Sequence, residues 1–167
     1  AGVTEWVSEP LARAELVAAV ERVSGTDESP SVGEVFAVVG AKGGVGATTV
    51  AVNVATALAQ MKKGSTLVMD LHPAGGDAAL FLGAEPNFSV TDALQNIHRL
   101  DGAFLKGIVV KSSEGPDILA SPDRAASPAP DPKAVRDVVE CAIRAYRYVV
   151  LDVPCGSTAF ELSLIHI

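Results

Sequence analysis

The stretch that most constrains the fold is residues 36–50, an apolar run that breaks into glycines and resumes as a helical pattern. The apolar run predicts a β-strand, and residues 47–62 predict an α-helix. Gly43, Gly44 and Gly46 lack a Cβ, so the loop between them can curl and turn its backbone N–H groups toward an anion. The first N–H groups of the helix lie at the positive end of its dipole. The stretch therefore predicts a strand, a phosphate-sized loop and a helix start.

Two hydroxyls follow this loop. Thr48 and Thr49 open the predicted helix, where a hydroxyl can bind Mg²⁺ or a phosphate oxygen. The standard P-loop pattern G-x-x-x-x-G-K-[ST] would have Gly at Ala41 and Lys at Ala47, and both positions differ. The ammonium that stabilises the β and γ phosphates is therefore missing at position 47. A glycine-rich turn without a ligand is the alternative, but the glycines, Lys42 and both threonines fall in register for a nucleotide site.

Composition excludes several classes of protein. With 167 residues, 49% hydrophobic and 20% charged, the chain can bury one good core and is expected to be soluble and cytoplasmic. A net charge of −7 without a run of Lys or Arg argues against direct DNA binding by this segment. The sequence has no signal-peptide pattern and no apolar stretch of the ~18 residues that a membrane helix needs. Cys141 and Cys155 lack metal-ligand spacing and are expected to be reduced thiols.

Two further apolar runs end in a carboxylate. Thr66–Asp70 reads as a strand buried on both faces, and Tyr148–Asp152 follows the same pattern. Open parallel sheets bind ligands beyond the carboxyl ends of their strands, so Asp70 is expected to point at the phosphates. Asp152 would hold Mg²⁺ through water, in a Walker B-like arrangement. The alternative for Asp152 is an ordinary strand end.

The remaining patterns alternate between strands and helices, which predicts an α/β fold: a mostly parallel sheet with helices on both faces. Short helices are expected over residues 77–82 and 89–96, and short strands over 108–110 and 117–120. A further helix is expected from the Asp131-Pro132 start to about Ala145. The predicted buried stripes are Val50, Val54, Ala57, Leu58 and Met61 on the first long helix, and Val135, Val138, Val139, Ala142 and Ile143 on the last.

The glycine loop carries a family resemblance. Lys42-Gly-Gly-Val-Gly-Ala-Thr-Thr49 resembles the deviant Walker A motif of the MinD/ParA ATPases, and its signature lysine falls at Lys42. The resemblance implies a P-loop NTPase domain over residues 35–161 that binds ATP and Mg²⁺ as a nucleotide-sandwich dimer. By the same resemblance, Lys42 and Asp70 are the catalytic residues. The implied nucleotide-binding residues are Lys42, Gly43, Gly44, Val45, Gly46, Ala47, Thr48, Thr49 and Asp152, and the implied metal-site residues are Thr48, Asp70 and Asp152.

A second segment resembles the same family. Asp70-Leu-His-Pro-Ala-Gly-Gly-Asp77 is similar to the switch I region, in which an Asp-x-Asp pair lies near the metal and the attacking water. The second Asp is His72 here, and a neutral imidazole supplies no fixed negative charge. Together with Ala47, this change predicts slow hydrolysis. The alternative for His72 is a histidine of a surface loop, and the sequence offers no support for metal binding by histidine.

The N-terminal residues read as part of another module. Residues 1–20 resemble the last strand and helix of a response-regulator receiver domain, so residues 1–24 are interpreted as its C-terminal remnant. True receivers have a Lys where Glu9 precedes Pro10, which argues against phospho-signalling. A simple amphipathic helix is the alternative. Residues 25–34 have the composition of a linker. Relatives of the ATPase domain continue further, so the chain is expected to be incomplete at its C-terminus, with residues 162–167 a non-native tail.

The whole arrangement resembles the CpaE/TadZ proteins of Flp-type (Tad) pilus assembly. That resemblance implies a nucleotide-gated, dimeric localisation factor with weak or absent hydrolysis. Its partners would be a second copy of itself and the pilus secretion machinery or polar, membrane-associated proteins, with recruitment to the inner face of the membrane or a cell pole. The alternative is an active MinD/ParA-type ATPase in cell division, flagellar or plasmid positioning, in which Lys42 supplies the catalytic charge in trans.

Overall fold

The computed structural model describes residues 33–61, 64–73, 75–124 and 131–156. All of them belong to the unit Val32–Ile167. The receiver-like remnant (1–24), residues 25–32 of the predicted linker and the predicted tail (162–167) lie outside the described residues.

Within the described ranges, four strands form one parallel sheet, as the alternating pattern predicts. The strands are β1 (Glu34–Val39), β2 (Thr66–Asp70), β3 (Asp117–Leu119) and β4 (Tyr148–Val153), in the spatial order β1-β4-β2-β3. The last strand in the described chain therefore lies between the first two. β2 is buried along its whole length, which matches its uninterrupted apolar sequence. β1 begins at Glu34, one residue inside the predicted linker.

Helices cover both faces of this sheet, and the predicted fold class is confirmed. They are α1 (Ala47–Met61), α2 (Ala78–Phe81), α3 (Val90–Gln95), α4 (Gly102–Ile108) and α5 (Pro132–Ala145), with a 3₁₀ turn at Ile97–Arg99. α1 and α2 pack over one face through a cluster that contains Val68 and Val150. α3, α4 and α5 pack over the other face, around Leu67, Met69 and Leu151.

The predicted starts of two helices are confirmed, because their capping residues act locally. The carboxylate of Asp131 accepts a hydrogen bond from the Lys133 N–H at 3.0 Å, and Pro132 is the first helical residue of α5. Ser89 and Asp92 form a capping box at the start of α3. The predicted apolar stripe of α5 is the buried face of that helix: Val135, Val138, Val139, Ala142 and Ile143.

The predicted buried stripe of α1 is wrong. Its buried residues are Ala51, Val52, Ala55 and Ala59. Val50 is 52% exposed and Met61 75% exposed, while Val54 and Leu58 only flank the buried face. α1 contacts three strands of the sheet. We attribute the choice of face to the small alanine side chains, which let the helix axis approach the strands closely.

A strand predicted over residues 108–110 is also wrong. Gly102–Ile108 is the helix α4, which begins where the Asp101 side chain accepts a hydrogen bond from the Phe104 N–H at 2.7 Å. Val110 makes a single antiparallel bridge to Ile118 at the edge of the sheet. Ile108 and Val109 are instead buried in the cluster beneath α5, so their apolar character reflects a helix end.

Within the described ranges, no helix combines the length and the apolar character needed to cross a lipid bilayer.

Candidate functional site

Three of the strands end at the same edge of the sheet, because all of them run parallel. The glycine loop, residues 40–46, follows β1, and Asp70 ends β2. β4 lies between these two strands, with the Cα of Asp152 opposite those of Val38 and Asp70. Asp152 is thus the central side chain between the glycine loop and Asp70.

The glycine loop is open toward solvent and contains two left-handed residues. Gly44 has φ 77° and Gly46 has φ 84°, a region that favours glycine. A Cβ added at either residue, or at Gly43, would meet no atom within 4 Å, so all three positions border open space. The Val50 N–H donates to the Gly46 carbonyl at 3.0 Å and starts the hydrogen bonding of α1.

A cavity of 300 Å³ lies beside this loop and is lined by residues 42–49 together with His72 and Asp77. The free N–H groups at the start of α1 fall within this lining. A larger cavity of 860 Å³, beneath α1 and the turn 111–116, contains none of the residues predicted for the site.

Asp70 is fully buried, and both of its oxygens are engaged by the loop that follows it. Oδ1 accepts hydrogen bonds from the His72 backbone N–H at 3.1 Å and from the His72 ring Nδ1 at 2.9 Å. Oδ2 accepts from the Ala78 N–H, at the start of α2, at 3.3 Å. The Asp70 carboxylate therefore holds the 71–77 loop against the end of the sheet.

Asp152 is equally buried, but neither of its side-chain oxygens has a hydrogen-bond partner. Burial raises the pKa of this carboxyl above its ordinary value of 3.8, and the nearby Thr48 hydroxyl and His72 ring oppose that shift. A buried carboxylate whose oxygens make no close hydrogen bond, with the His72 ring nitrogen 3.6 Å away, is costly, and a bound cation would compensate it.

His72 lies between the two carboxylates. Its Nδ1 is 2.9 Å from Asp70 Oδ1 and 3.6 Å from Asp152 Oδ2, and its side chain is 28% exposed. The hydrogen bond with Asp70 raises the pKa of His72 above 6.5, against the lowering effect of partial burial. Asp70, His72 and Asp152 form a three-residue group whose ligand atoms lie close enough to hold a metal ion.

The 71–77 loop is also tied to the loop after β3. The Gly76 N–H donates to Ser121 Oγ at 2.6 Å, and the Gly75 N–H donates to the Pro122 carbonyl at 2.9 Å. Gly76 itself lies against Asp70, since a Cβ there would be 2.1 Å from the Asp70 Oδ2 atom. These contacts set the position of His72 relative to the sheet.

The structure brings together most of the residues that the sequence predicts for the site. Thr48, Asp70 and Asp152 meet at the central strand ends, and Gly43, Gly44, Val45, Gly46, Ala47 and Thr49 line the adjoining cavity. Lys42 also lines the cavity but is exposed. The sequence reading did not group His72 with both carboxylates, and no sequence signal connects Ser121 to Gly76, 45 residues away.

These residues fit a magnesium–nucleotide group. The unpartnered oxygens of Asp152 and the Thr48 hydroxyl are hard oxygen donors of the kind that Mg²⁺ takes. The open glycines and the free helix start offer N–H groups to phosphate oxygens.

Known proteins place the chain in a family. The parallel sheet and the loop between β1 and α1 define its class, the α/β P-loop NTPases. A family model described as an AAA domain matches residues 33–160, and the chain belongs to that family. No curated protein sequence matches the chain significantly.

Solved structures of ParA and MinD ATPases share the fold. A ParA family ATPase from Chlorobium tepidum TLS is 29% identical with a TM-score of 0.70, over 80% of this chain and 57% of that one. The MinC:MinD cell division protein complex of Aquifex aeolicus is 27% identical with a TM-score of 0.62, over 79% of this chain and 52% of that one. MinD from Pyrococcus horikoshii OT3, complexed with Mg-ADP, is 23% identical with a TM-score of 0.62, over 78% of this chain and 52% of that one. At this identity the similarity shows a shared fold only. The chain spans little more than half the length of these relatives.

Proposed function

We propose that this chain is the nucleotide-binding part of a dimeric localisation factor for Flp/Tad-type pilus assembly, gated by ATP and Mg²⁺, with weak or absent hydrolysis. The observation that carries the ATP and Mg²⁺ part is Asp152, a fully buried carboxylate without a hydrogen-bond partner that lies next to an open glycine loop. In an ordinary strand end such a carboxylate would be hydrogen-bonded or exposed.

The roles of the binding residues follow from their positions. The N–H groups of residues 43–49 would donate hydrogen bonds to the phosphate oxygens, and the Thr48 hydroxyl with Asp152 would hold Mg²⁺ directly or through water. The ion, when bound, would neutralise the charge of the phosphates and of the buried carboxylate. Nucleotide binding would thus stabilise the fold around Asp152.

Slow hydrolysis is supported by two features of the same site. Ala47 carries no ammonium at the start of α1, where the standard motif has its lysine. His72 stands at the position of the second switch I carboxylate, and its Nδ1 is engaged with Asp70. A group that is already bound to Asp70 is poorly placed to orient an attacking water.

The parts of the proposal that concern ATP gating and localisation rest on the resemblance to the CpaE/TadZ proteins. Lys42 is exposed on the glycine loop, a position from which a long cationic side chain could reach the phosphates of a second copy. ATP that binds only the dimer would shift the monomer–dimer equilibrium by its differential affinity, so a switch does not need hydrolysis. The pilus secretion machinery or polar, membrane-associated proteins would then bind the dimer.

Equilibrium binding of Mg·ATP, with phosphate release followed in the same samples, tests this function in the full chain. We expect the wild-type protein to bind Mg·ATP with little phosphate release and Ala47→Lys to gain hydrolysis. We expect Lys42→Ala to weaken ATP-dependent dimerisation, measured by light scattering. Ready hydrolysis by the wild type that Lys42→Ala abolishes would instead identify an active ATPase that uses Lys42. Absence of binding would overturn nucleotide function altogether.

A further inference from the structure

We propose that the cation site at the strand ends takes a first-row transition-metal dication such as Mn²⁺ in preference to Mg²⁺, with the His72 Nδ1 atom as a direct ligand beside Asp70 and Asp152. The inference deepens the proposed function and rests on it, because the same site would serve the nucleotide. The proposed site differs from an ordinary Mg²⁺ site in its ligands, because it adds an imidazole nitrogen to the oxygen ligands that Mg²⁺ takes.

The distances fit a shared ion. One ligand atom from each of the three residues lies within 4.8 Å of the other two. Bonds of about 2.1 Å place neighbouring ligands of an octahedral ion about 3.0 Å apart and opposite ligands about 4.2 Å apart. His72 Nδ1 is 2.9 Å from Asp70 Oδ1 and 3.6 Å from Asp152 Oδ2. Closing the Asp70–His72–Asp152 triangle to these spacings would complete a three-ligand face.

An independent observation points to a ligand at this place. Asp152 is fully buried and both of its carboxylate oxygens lack a hydrogen-bond partner. A carboxylate removed from water in this way is stabilised by a cation at close range, and the His72 ring nitrogen approaches it only to 3.6 Å. The side chain of His72 is 28% exposed, so the group of three residues lies near the surface.

The present contacts show how the ion would be accommodated. Asp70 Oδ2 holds the Ala78 N–H and keeps the 71–77 loop in place, so only Oδ1 and the His72 ring need to change partners. The proton now held between Nδ1 and Oδ1 would leave to solvent, which frees both atoms to bind the metal, as metal ligation by histidine requires.

The selectivity follows from ligand chemistry. Mg²⁺ takes oxygen ligands in near-ideal octahedral geometry and usually keeps several waters. An imidazole nitrogen suits transition-metal dications, whose affinities for nitrogen-containing sites rise from Mn²⁺ along the first row. A site with one imidazole and two carboxylates therefore favours these ions over Mg²⁺.

Pulsed electron paramagnetic resonance on the Mn²⁺-loaded full chain, without nucleotide, tests the proposal. The expected result is one bound Mn²⁺ with ¹⁴N coupling from a directly bound imidazole. His72→Asp, which keeps an oxygen ligand, should abolish the coupling and lower the ratio of Mn²⁺ to Mg²⁺ affinity at least about tenfold in a competition titration. His98→Asp is the matched control, because His98 is exposed and distant in sequence from His72. This variant should retain the ¹⁴N coupling and the wild-type ratio of Mn²⁺ to Mg²⁺ affinity.

The outcomes separate this proposal from the proposed function. Bound Mn²⁺ without ¹⁴N coupling, or an unchanged affinity ratio in His72→Asp, would overturn the histidine-ligated metal site even if Mg·ATP binds normally in the same preparations. The coupling in wild type does not depend on any variant folding, and His72→Asn provides a second variant of similar shape. Mn²⁺ bound through nitrogen in a protein that does not bind ATP would support the metal site and overturn the nucleotide function.

Discussion

Asp70 and Asp152 are register partners at the ends of adjacent parallel strands, yet the surroundings of their carboxylates are opposite. Asp70 accepts hydrogen bonds from the His72 backbone and ring and from the Ala78 N–H, whereas Asp152 accepts none. Both side chains are fully buried. We infer that Asp70 chiefly holds the 71–77 loop and that Asp152 is the residue whose charge a ligand must compensate.

The first prediction concerns how much the buried carboxylate of Asp152 lowers the free energy of unfolding. Its raised pKa means that the stability this carboxyl contributes is present below its ordinary pKa of 3.8 and is lost as the pH rises through the folded-state value. At pH 8 without metal, Asp152→Asn should therefore raise the free energy of unfolding by about 1 kcal/mol. Urea denaturation in the presence of a chelator measures the change. The same variant should lose the stabilisation that Mg·ATP gives the wild type.

Asp117→Asn is the matched control with the opposite sign. Asp117 is buried like Asp152, but it accepts from the Tyr146 hydroxyl at 2.8 Å and from the Ser112 N–H at 3.0 Å, and it pairs with Lys111. Its replacement should lower the free energy of unfolding by about 2 kcal/mol. Equal losses in both variants would contradict the assignment of Asp152 as a buried carboxylate whose oxygens lack close hydrogen bonds.

The second prediction concerns Gly76. Because a Cβ at this residue would lie 2.1 Å from Asp70 Oδ2, Gly76→Ala should push the carboxylate and the loop apart. We expect a loss of about 1 to 3 kcal/mol in the free energy of unfolding and faster hydrogen exchange at the Ala78 N–H. Gly107→Ala, in α4, meets no atom within 4 Å and should stabilise by about 0.5 kcal/mol instead. Slow exchange at Ala78 in the Gly76 variant would show that the loop does not depend on this contact.

The third prediction separates the two faces of α1. Ala55 is fully buried against the sheet, whereas Ala57 is exposed on the same helix. Ala55→Leu should lower the free energy of unfolding by about 1 to 3 kcal/mol, because the added carbons have no room between α1 and the strands. Ala57→Leu should change it by less than about 0.5 kcal/mol. The reverse order of the two effects, measured by chemical denaturation, would support the stripe predicted from periodicity.

The fourth prediction concerns alkaline pH. Burial, followed by the hydrogen bond to Asp117, raises the pKa of Tyr146 above its ordinary value of 10.0. The unfolded chain therefore loses this proton first, and stability falls as the pH rises above about 10, by up to about 1.4 kcal/mol per pH unit.

Tyr146→Phe tests the source of that fall. The variant should be less stable by about 1 kcal/mol at pH 8, because the hydrogen bonds with Asp117 and Lys111 are lost. Between about pH 10 and 11 its stability should fall less steeply than that of the wild type, since it has no phenol to ionise. Parallel curves for the two proteins would assign the alkaline transition to other groups.

Local patterns predicted much of the fold and the site. The helix starts at Asp131 and Ser89 depend on neighbours within three residues, so the sequence alone specifies them. The buried face of α5 was predictable because that helix has a charged opposite side. The glycine loop and the two carboxylate-ended strands are likewise contiguous segments whose residue types already imply their chemistry.

The kinds of elements in this protein and the residues at the strand ends were therefore predictable, because they depend on local propensity and spacing. What these residues face depends on the packing of distant segments. Helix α1 is apolar around most of its surface, so periodicity could not select its buried face, and close approach to the sheet selected alanines. The insertion of β4 between β1 and β2 set Asp152 beside Thr48 and His72, a contact between segments far apart in the chain that no local pattern encodes.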